Sequence, residues 1–355
     1  MNLVFGLWFL VLDFKAEDQK PKTKNHFMNK IALAIHGGAG TILKSEMTAA
    51  LENEYRAGLE NALQKGFEIL QKKGSALDAV EAAVVELENF PLFNAGKGSV
   101  FTHEGKNEMD AAIMDGKKLK AGAAAFVQNV KNPVKLARLV MERTEHCLLA
   151  GEGANEFAHE MRVEFESDEY FFTEHRYRQL LTAIEAGRVQ LDHASNEEKE
   201  KRGRGEEETS QKPKAKSQKP IGTVGAVACD SKGNLAAATS TGGMTNKKFG
   251  RIGDTPIIGA GTYAENATCA VSCTGHGEYF MLGVTAFDVA ARMKYKNLSL
   301  EDASREVIER LTEINGEGGF IAVDALGNVV LPFNSEGMYR GFMTADGEMK
   351  IEIYK

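Results

Sequence analysis

The chain of 355 residues is long enough for two domains of average size or for one large domain. Its 43 lysine and arginine residues are outnumbered by 50 aspartate and glutamate residues. The resulting net charge of −7 excludes the basic surface typical of a nucleic-acid-binding protein. The four cysteines include no Cys-x-x-Cys pair and no matching set of histidines, so reduced, buried thiols are expected rather than a zinc site.

Residues 1–27 resemble a leader more than a folded element. Residues 3–12 are apolar and long enough for a signal-peptide core, but too short to span a bilayer as a helix. No lysine or arginine precedes this run, and no Ala-x-Ala cleavage site follows it. We expect no membrane association and a cytoplasmic location, with an exported or periplasmic protein as the alternative.

The first predicted elements are a strand and two helices. Residues 30–35 form a short apolar strand, and the glycines of residues 36–40 predict a tight turn with a structural role for His36. Apolar side chains recur every three or four residues in two helical stripes, which are separated by Gly74 and a capping box at residues 75–78. The same patterns predict strands at residues 108–115, 121–127, 223–229 and 235–239, helices at residues 132–140, 153–161, 173–186, 278–294 and from 299, and a hairpin across residues 324–328.

Residues 195–219 predict a disordered tether, because Ala215 is the only aliphatic or aromatic residue among them. The tether ends at Gly222-Thr223, where a β-prone run begins. A plain junction between loop and strand is one interpretation. The other is a chain that is cut there, because the glycine permits a strained backbone and the threonine hydroxyl could attack the preceding carbonyl. After cleavage, the free amine of Thr223, with a reference pKa near ~8, could act as base for its own hydroxyl.

Ordered motifs continue from the start of the fold almost to the C-terminus. They are Ala34-Ile-His-Gly-Gly-Ala-Gly40, Pro91-Leu-Phe-Asn-Ala-Gly-Lys-Gly98, Gly222-Thr-Val-Gly-Ala-Val-Ala228, Gly233-Asn-Leu-Ala-Ala-Ala-Thr-Ser-Thr-Gly-Gly-Met-Thr-Asn246, Gly250-Arg-Ile-Gly-Asp254, Ser272-Cys-Thr-Gly-His-Gly-Glu278 and Leu331-Pro-Phe-Asn-Ser-Glu-Gly-Met-Tyr339. Together they resemble the plant-type L-asparaginase/isoaspartyl peptidase family of N-terminal-nucleophile hydrolases.

This resemblance implies an α+β fold, an αββα four-layer sandwich in which helices flank two packed antiparallel sheets. It also implies autocleavage into an α subunit (residues 28–222) and a β subunit (residues 223–355) that remain one structural domain. Two such α/β pairs are expected to associate. The implied substrates are L-asparagine and β-aspartyl dipeptides.

The resemblance assigns roles to residues at matching positions. Thr223 is the nucleophile and, through its amine, the base, while Gly222 and Thr223 form the cleavage site. Thr241 orients the nucleophile, and Thr274 and Gly275 form the oxyanion hole. The substrate-binding positions are Arg251, Ile252, Gly253, Asp254, Thr274, Gly275, His276 and Gly277.

Arg251 and Asp254 also suit a zwitterionic amino-acid head on chemical grounds. A guanidinium can bind the α-carboxylate and a carboxylate the α-ammonium. On spacing alone, a surface salt bridge between the two is the simpler interpretation. The surrounding motif favours the binding role.

No cofactor is implied for catalysis. A loop in the family binds a structural monovalent cation, usually sodium, through main-chain carbonyls, and Asn94 would lie near the catalytic centre as a polar support. The matching carbonyls here belong to Leu87, Glu88, Phe90, Phe93, Ala95 and Lys97.

Two other functions remain open from the sequence. A glycosylasparaginase shares the architecture but hydrolyses glycosylated asparagine. An uncut, inactive relative could bind an amino acid without turnover.

Overall fold

The computed structural model describes residues 31–187 and 222–355. The predicted leader at residues 1–27 and tether at residues 195–219 lie outside the described residues. No helix within the described ranges is both apolar enough and long enough to cross a membrane.

The strands are β1 (Ala32–Gly40), β2 (Met109–Asp115), β3 (Lys120–Val127), β4 (Leu148–Ala150), β5 (Val224–Cys229), β6 (Leu235–Thr241), β7 (Thr262–Ala264), β8 (Cys269–Gly275), β9 (Gly318–Asp324), β10 (Val329–Val330), β11 (Gly337–Thr344) and β12 (Met349–Tyr354). The helices are α1 (Ala49–Gln71), α2 (Ala76–Asn89), α3 (Pro133–Arg143), α4 (Gly151–Glu160), α5 (Asp168–Phe171), α6 (Glu174–Glu185), α7 (Gly277–Gly283), α8 (Thr285–Lys296) and α9 (Leu300–Glu313).

The strands form two sheets that pack face to face. The larger has the order β12-β11-β1-β5-β6-β2-β3-β4, and the smaller has the order β10-β9-β8-β7. Strands β1, β5 and β6 of the large sheet contact β8 and β9 of the small one. All pairings within the sheets are antiparallel except that of β3 with β4, which is parallel.

Helices cover both outer faces. α1, α2 and α3 pack on the large sheet, and α8 and α9 pack on the small sheet. Successive side chains of a strand point to opposite faces, so Leu33 and Ile35 of β1 join the core under the helices while Ala32 and Ala34 join the core between the sheets. The predicted αββα sandwich is confirmed.

Capping of the helices follows the sequence signals in two of three places. The hydroxyl groups of Ser75 and Ser299 accept hydrogen bonds from the backbone N–H of Asp78 and Asp302, as expected at helix N-termini. Asn132 precedes α3 as predicted but does not cap it, because its side-chain amide donates to Asn89 instead.

Two predictions about local structure are wrong. Residues 36–40 do not form a turn: they continue β1, which absorbs a register shift between His36 and Gly38. The glycines serve close packing, since a Cβ on Gly37 would lie 2.4 Å from the ring of Phe93. The predicted helix at residues 278–294 is two helices, because Val284 adopts a left-handed backbone conformation with φ of 46°.

The cysteines agree with the expected reduced state. Cys229, Cys269 and Cys273 are buried, Cys147 is exposed, and all four are free.

Candidate active site

A pocket of about 360 Å³ opens where β5 begins and where β6 and β8 end. Its walls combine hydroxyl groups, glycines and two ionisable side chains. The lining residues are Gly222, Thr223, Thr241, Gly243, Met244, Arg251, Gly253, Asp254, Thr255 and Gly275.

The hydroxyl groups of Thr223 and Thr241 lie together in this pocket. Thr223 Oγ1 donates to Thr241 Oγ1 over 3.1 Å, and Thr241 Oγ1 also accepts from the backbone N–H of Gly243 at 3.0 Å. Both threonines are buried. Their orientation follows from strand alternation, because Val227 of β5 and Ala237 of β6 face the small sheet and the threonines share their parity.

A buried histidine supports the backbone of Thr223. His36 Nδ1 donates to the Thr223 carbonyl at 3.0 Å, which leaves Nε2 to accept from the Ser272 hydroxyl at 2.9 Å. Burial lowers the pKa of His36 to about 3, so the ring is neutral and this tautomer is fixed at neutral pH. Ser272 continues the chain to Thr239 at 2.7 Å. The structural role predicted for His36 therefore lies directly beneath the candidate nucleophile.

Sequence reasoning missed both the contact of His36 with Thr223 and the part of Ser272. His36 is opposite Gly225 in the β1–β5 register, and Ser272 Oγ lies 1.9 Å from where a Cβ on Gly225 would be. Only glycine leaves room for this hydrogen-bond network. The glycine was visible in the sequence, but the strand pairing that gives it meaning was not.

Arg251 does not pair with Asp254 in the way that a surface salt bridge would. Its Nε and Nη2 donate to the two carboxylate oxygens of Glu278 at 3.0 and 2.9 Å. Burial alone would raise the pKa of Glu278, but the hydrogen bonds and charge of Arg251 outweigh it and hold that pKa below its usual value. Sequence reasoning did not identify Glu278, which lies at the end of the Ser272-Cys-Thr-Gly-His-Gly-Glu278 motif.

Asp254 is a buried carboxyl group in the pocket wall, with 4% of its surface exposed. Burial raises its pKa to about 7, and the positive charge of Arg251 opposes that rise. Within residues 31–187 and 222–355, its Oδ2 has no hydrogen-bond partner. A buried, unsatisfied carboxylate oxygen is suited to receive an N–H donor from a ligand.

Two glycines let these charged groups approach the pocket. A Cβ on Gly277 would lie 2.7 Å from Asp254 Oδ1 and 3.0 Å from Arg251 Nη2. A Cβ on Gly253 would lie 3.0 Å from Arg251 Nη1. Side chains at either position would compete with a substrate for the space around the two charges.

The proposed oxyanion residues lie at the end of β8. Gly275 lines the pocket with a φ of 145°, and a Cβ there would lie 2.4 Å from the Glu317 carbonyl. The Thr274 hydroxyl accepts from the backbone N–H of Ala39 at 3.2 Å. The motif was expected in a turn, but residues 272–275 continue the strand, and α7 begins at Gly277.

The structure therefore brings together seven of the predicted positions in one pocket: Gly222, Thr223, Thr241, Arg251, Gly253, Asp254 and Gly275. Thr274, Ile252, His276 and Gly277 adjoin these residues in sequence without lining the pocket. Gly243, Met244 and Thr255 line it without having been predicted.

The candidate cation loop has carbonyl oxygens that converge on two glycines. The Glu88 carbonyl lies 2.4 Å from where a Cβ on Gly96 would be, and the carbonyls of Phe93 and Pro91 lie 2.0 and 2.6 Å from that position on Gly98. Oxygen-rich main chain of this kind fits a hard cation. The other predicted carbonyls belong to Leu87, Phe90, Ala95 and Lys97, of which Leu87 and Ala95 already accept backbone hydrogen bonds.

Comparison with known proteins identifies the chain's relatives. The family described as Asparaginase matches residues 29–353. The chain belongs to this family. An isoaspartyl peptidase of Salmonella typhimurium is 51% identical over 92% of this chain and 100% of its own length. A putative isoaspartyl peptidase/L-asparaginase of Dictyostelium discoideum is also 51% identical, over 92% and 99% of the two chains. The human isoaspartyl peptidase/L-asparaginase is 43% identical over 88% and 92%.

Proposed function

We propose that this chain is a self-cleaving threonine hydrolase that cleaves isoaspartyl peptides and hydrolyses L-asparagine to aspartate and ammonia. The single observation that carries the proposal is the 3.1 Å contact between the Thr223 and Thr241 hydroxyl groups in a pocket shared with Arg251 and Asp254. The activities named for its relatives agree with it.

In the first stage, Thr223 Oγ attacks the carbonyl of Gly222 and the peptide bond becomes an ester. Water hydrolyses the ester, which frees the α-amine of Thr223. His36 holds the Thr223 carbonyl, so the residue keeps its place on β5 while its own amide bond is broken.

In the second stage, the freed amine accepts the proton of the Thr223 hydroxyl, which attacks the side-chain carbonyl of the substrate. Thr241 orients the hydroxyl through their hydrogen bond. Thr274 and Gly275 would stabilise the oxyanion. Arg251 would bind the α-carboxylate and Asp254 the α-ammonium, so the pocket would recognise the aspartyl part that both substrates share. Water then releases aspartate from the aspartyl-enzyme ester.

A structural monovalent cation is part of the proposal. The main-chain carbonyls of Leu87, Glu88, Phe90, Phe93, Ala95 and Lys97 would hold it, and its charge would stabilise the crowded loop before β2 without entering the reaction. Replacing sodium by N-methylglucamine should lower the melting temperature and leave the substrate KM unchanged.

The test is an intact-mass spectrum followed by steady-state kinetics. Wild-type protein should yield a chain with the mass of residues 223–355 and an N-terminal threonine, and it should hydrolyse a β-aspartyl dipeptide and asparagine. T223A should remain uncut and inactive. An uncut but active T223A protein would disprove the mechanism.

The same assay separates the two other functions. Preferential turnover of glycosylasparagine would indicate a glycosylasparaginase. Aspartate binding without any turnover would indicate an inactive binding relative.

The assembly and location that we propose are a dimer of α/β pairs and the cytoplasm. Light scattering of the cleaved protein tests the first. Fractionation of cells that express the full chain tests the second, and it also tests the alternative that residues 1–27 direct export.

A further inference from the structure

A buried arginine lies outside the pocket. Arg176 belongs to α6 and has 1% of its surface exposed, whereas 74% of the Arg178 side chain is exposed on the same helix. Burial of a guanidinium is costly unless its N–H groups find acceptors. Its contacts therefore indicate what this burial achieves.

The guanidinium of Arg176 binds main-chain carbonyls of the segment between α2 and β2. Nε donates to the Gly98 carbonyl at 2.8 Å, and Nη2 donates to the Leu92 carbonyl at 3.3 Å. These two carbonyls lie on either side of Asn94 in the sequence. One side chain from α6 thus holds both ends of the segment that carries Asn94.

Asn94 connects this segment to the end of β6. Its Nδ2 donates to the Gly243 carbonyl at 2.8 Å, and its own carbonyl accepts from the backbone N–H of Gly242 at 3.1 Å. The backbone N–H of Gly243 donates to Thr241 Oγ1, which in turn accepts from Thr223 Oγ1. A contiguous series of hydrogen bonds therefore runs from α6 to the candidate nucleophile.

We propose that Arg176 is a positioning residue for the proposed reaction. By holding residues 92–98 it fixes Asn94, and through Asn94 it fixes the Gly242-Gly243 backbone that places the Thr241 hydroxyl beside Thr223. The proposal rests on the proposed function. It assigns α6, the last described element before residues 188–221, to the support of the active site.

The test compares R176M with R178M, which removes an exposed guanidinium from the same helix. R176M should lower kcat by about ten- to a hundred-fold, because small displacements of reacting groups have effects of that size. KM should stay within about two-fold, since Arg251 and Asp254 lie on another segment. R176K, which keeps a donor for one carbonyl, should recover part of the lost kcat. R178M should match wild type.

A folded R176M protein with wild-type kcat would overturn the proposal, and so would a rise in KM as large as the fall in kcat. If R176M does not fold, R176K becomes the deciding variant, and a wild-type kcat in R176K would overturn the proposal. Amide hydrogen exchange at Gly243 should accelerate in the Arg176 variant that folds, and an unchanged rate would contradict the inferred connection. If wild-type protein hydrolyses no aspartyl substrate, the proposed function fails, while the exchange rate at Gly243 still shows whether Arg176 holds this segment.

Discussion

Arg251 is bound to Glu278 through two hydrogen bonds, although Asp254 lies on the same short turn. Such a two-point contact fixes the plane of the guanidinium as well as its distance. The cation is therefore oriented before a substrate carboxylate arrives, and Glu278 becomes a determinant of substrate affinity.

E278Q should raise the KM for a β-aspartyl dipeptide by about five-fold and leave kcat within two-fold, since a partly exposed ion pair contributes no more than about 1 kcal/mol. The Glu278 side chain is 42% exposed, so solvent screens the pair. Steady-state kinetics measures both constants. E309Q replaces an exposed glutamate on α9 and serves as the control. A fall in kcat at constant KM would contradict the prediction.

Ionisation of Asp254 should make ligand binding depend on pH. Because the pKa of this carboxyl is raised to about 7, the free protein carries it mainly in the neutral form below pH 7. Only the ionised form attracts an α-ammonium. The inhibition constant of L-aspartate should therefore fall as pH rises from 5.5 to 7.5, by about ten-fold per unit well below the pKa. D254N should bind more weakly, and it should lose this slope. A slope that persists in D254N would show that another group is responsible.

The same pKa has a consequence for stability in the absence of ligand. The folded-state pKa of Asp254 lies above the usual value, so the group's contribution to stability is lost as pH rises through about 7. D254N should therefore be more stable than wild type at pH 8, with little difference at pH 4. Urea denaturation at the two pH values measures this difference, and an equal difference at both would refute the assignment.

T241V should separate orientation of the nucleophile from substrate binding. The change leaves the Thr223 hydroxyl and the Gly243 N–H without their acceptor. An unsatisfied buried group costs about 1–3 kcal/mol, which corresponds to a fall in kcat of about ten- to a hundred-fold. KM should change by less than about two-fold. T245V is a matched control, because the buried Thr245 hydroxyl has no hydrogen-bond partner within the described ranges. Equal losses in both variants would argue against a specific role for Thr241.

G225A should destabilise the fold by about 2–3 kcal/mol, the range typical of an overpacked core. The new Cβ would lie 1.9 Å from Ser272 Oγ and 2.5 Å from His36 Nε2, and both belong to a buried network. Urea denaturation measures the effect. G153A adds a methyl group to an exposed position of α4, where nothing lies within 4 Å, and should gain about 0.5–1 kcal/mol. A neutral G225A would mean that the network can rearrange.

Much of the fold follows from local signals in the sequence. The apolar stripes of α1 and α2 and the serines before α2 and α9 specify structure within a few residues, which is why they were predicted. The continuation of β1 through its glycines was not predicted, because it depends on pairing with β11 and β5. The break at Val284 carries no glycine or proline to mark it.

The candidate site divides in the same way. Thr223, Thr241, Arg251 and Asp254 belong to motifs that a family resemblance can assign. Glu278, Arg176 and the contact of His36 with Thr223 depend on residues far apart in the chain, so no local pattern reveals them. Their importance comes from burial and partner geometry, and both require the assembled sheets.

Strand β5 lies between β1 and β6 in the middle of the large sheet, with six paired positions on β6 and five on β1. If the bond before Thr223 is broken, each product would still contribute interior strands to one continuous sheet. The two pieces should then migrate together through native chromatography and part only in denaturant. Covalent continuity would be dispensable for holding the molecule together, and the cut would expose a reactive terminus without loosening its surroundings.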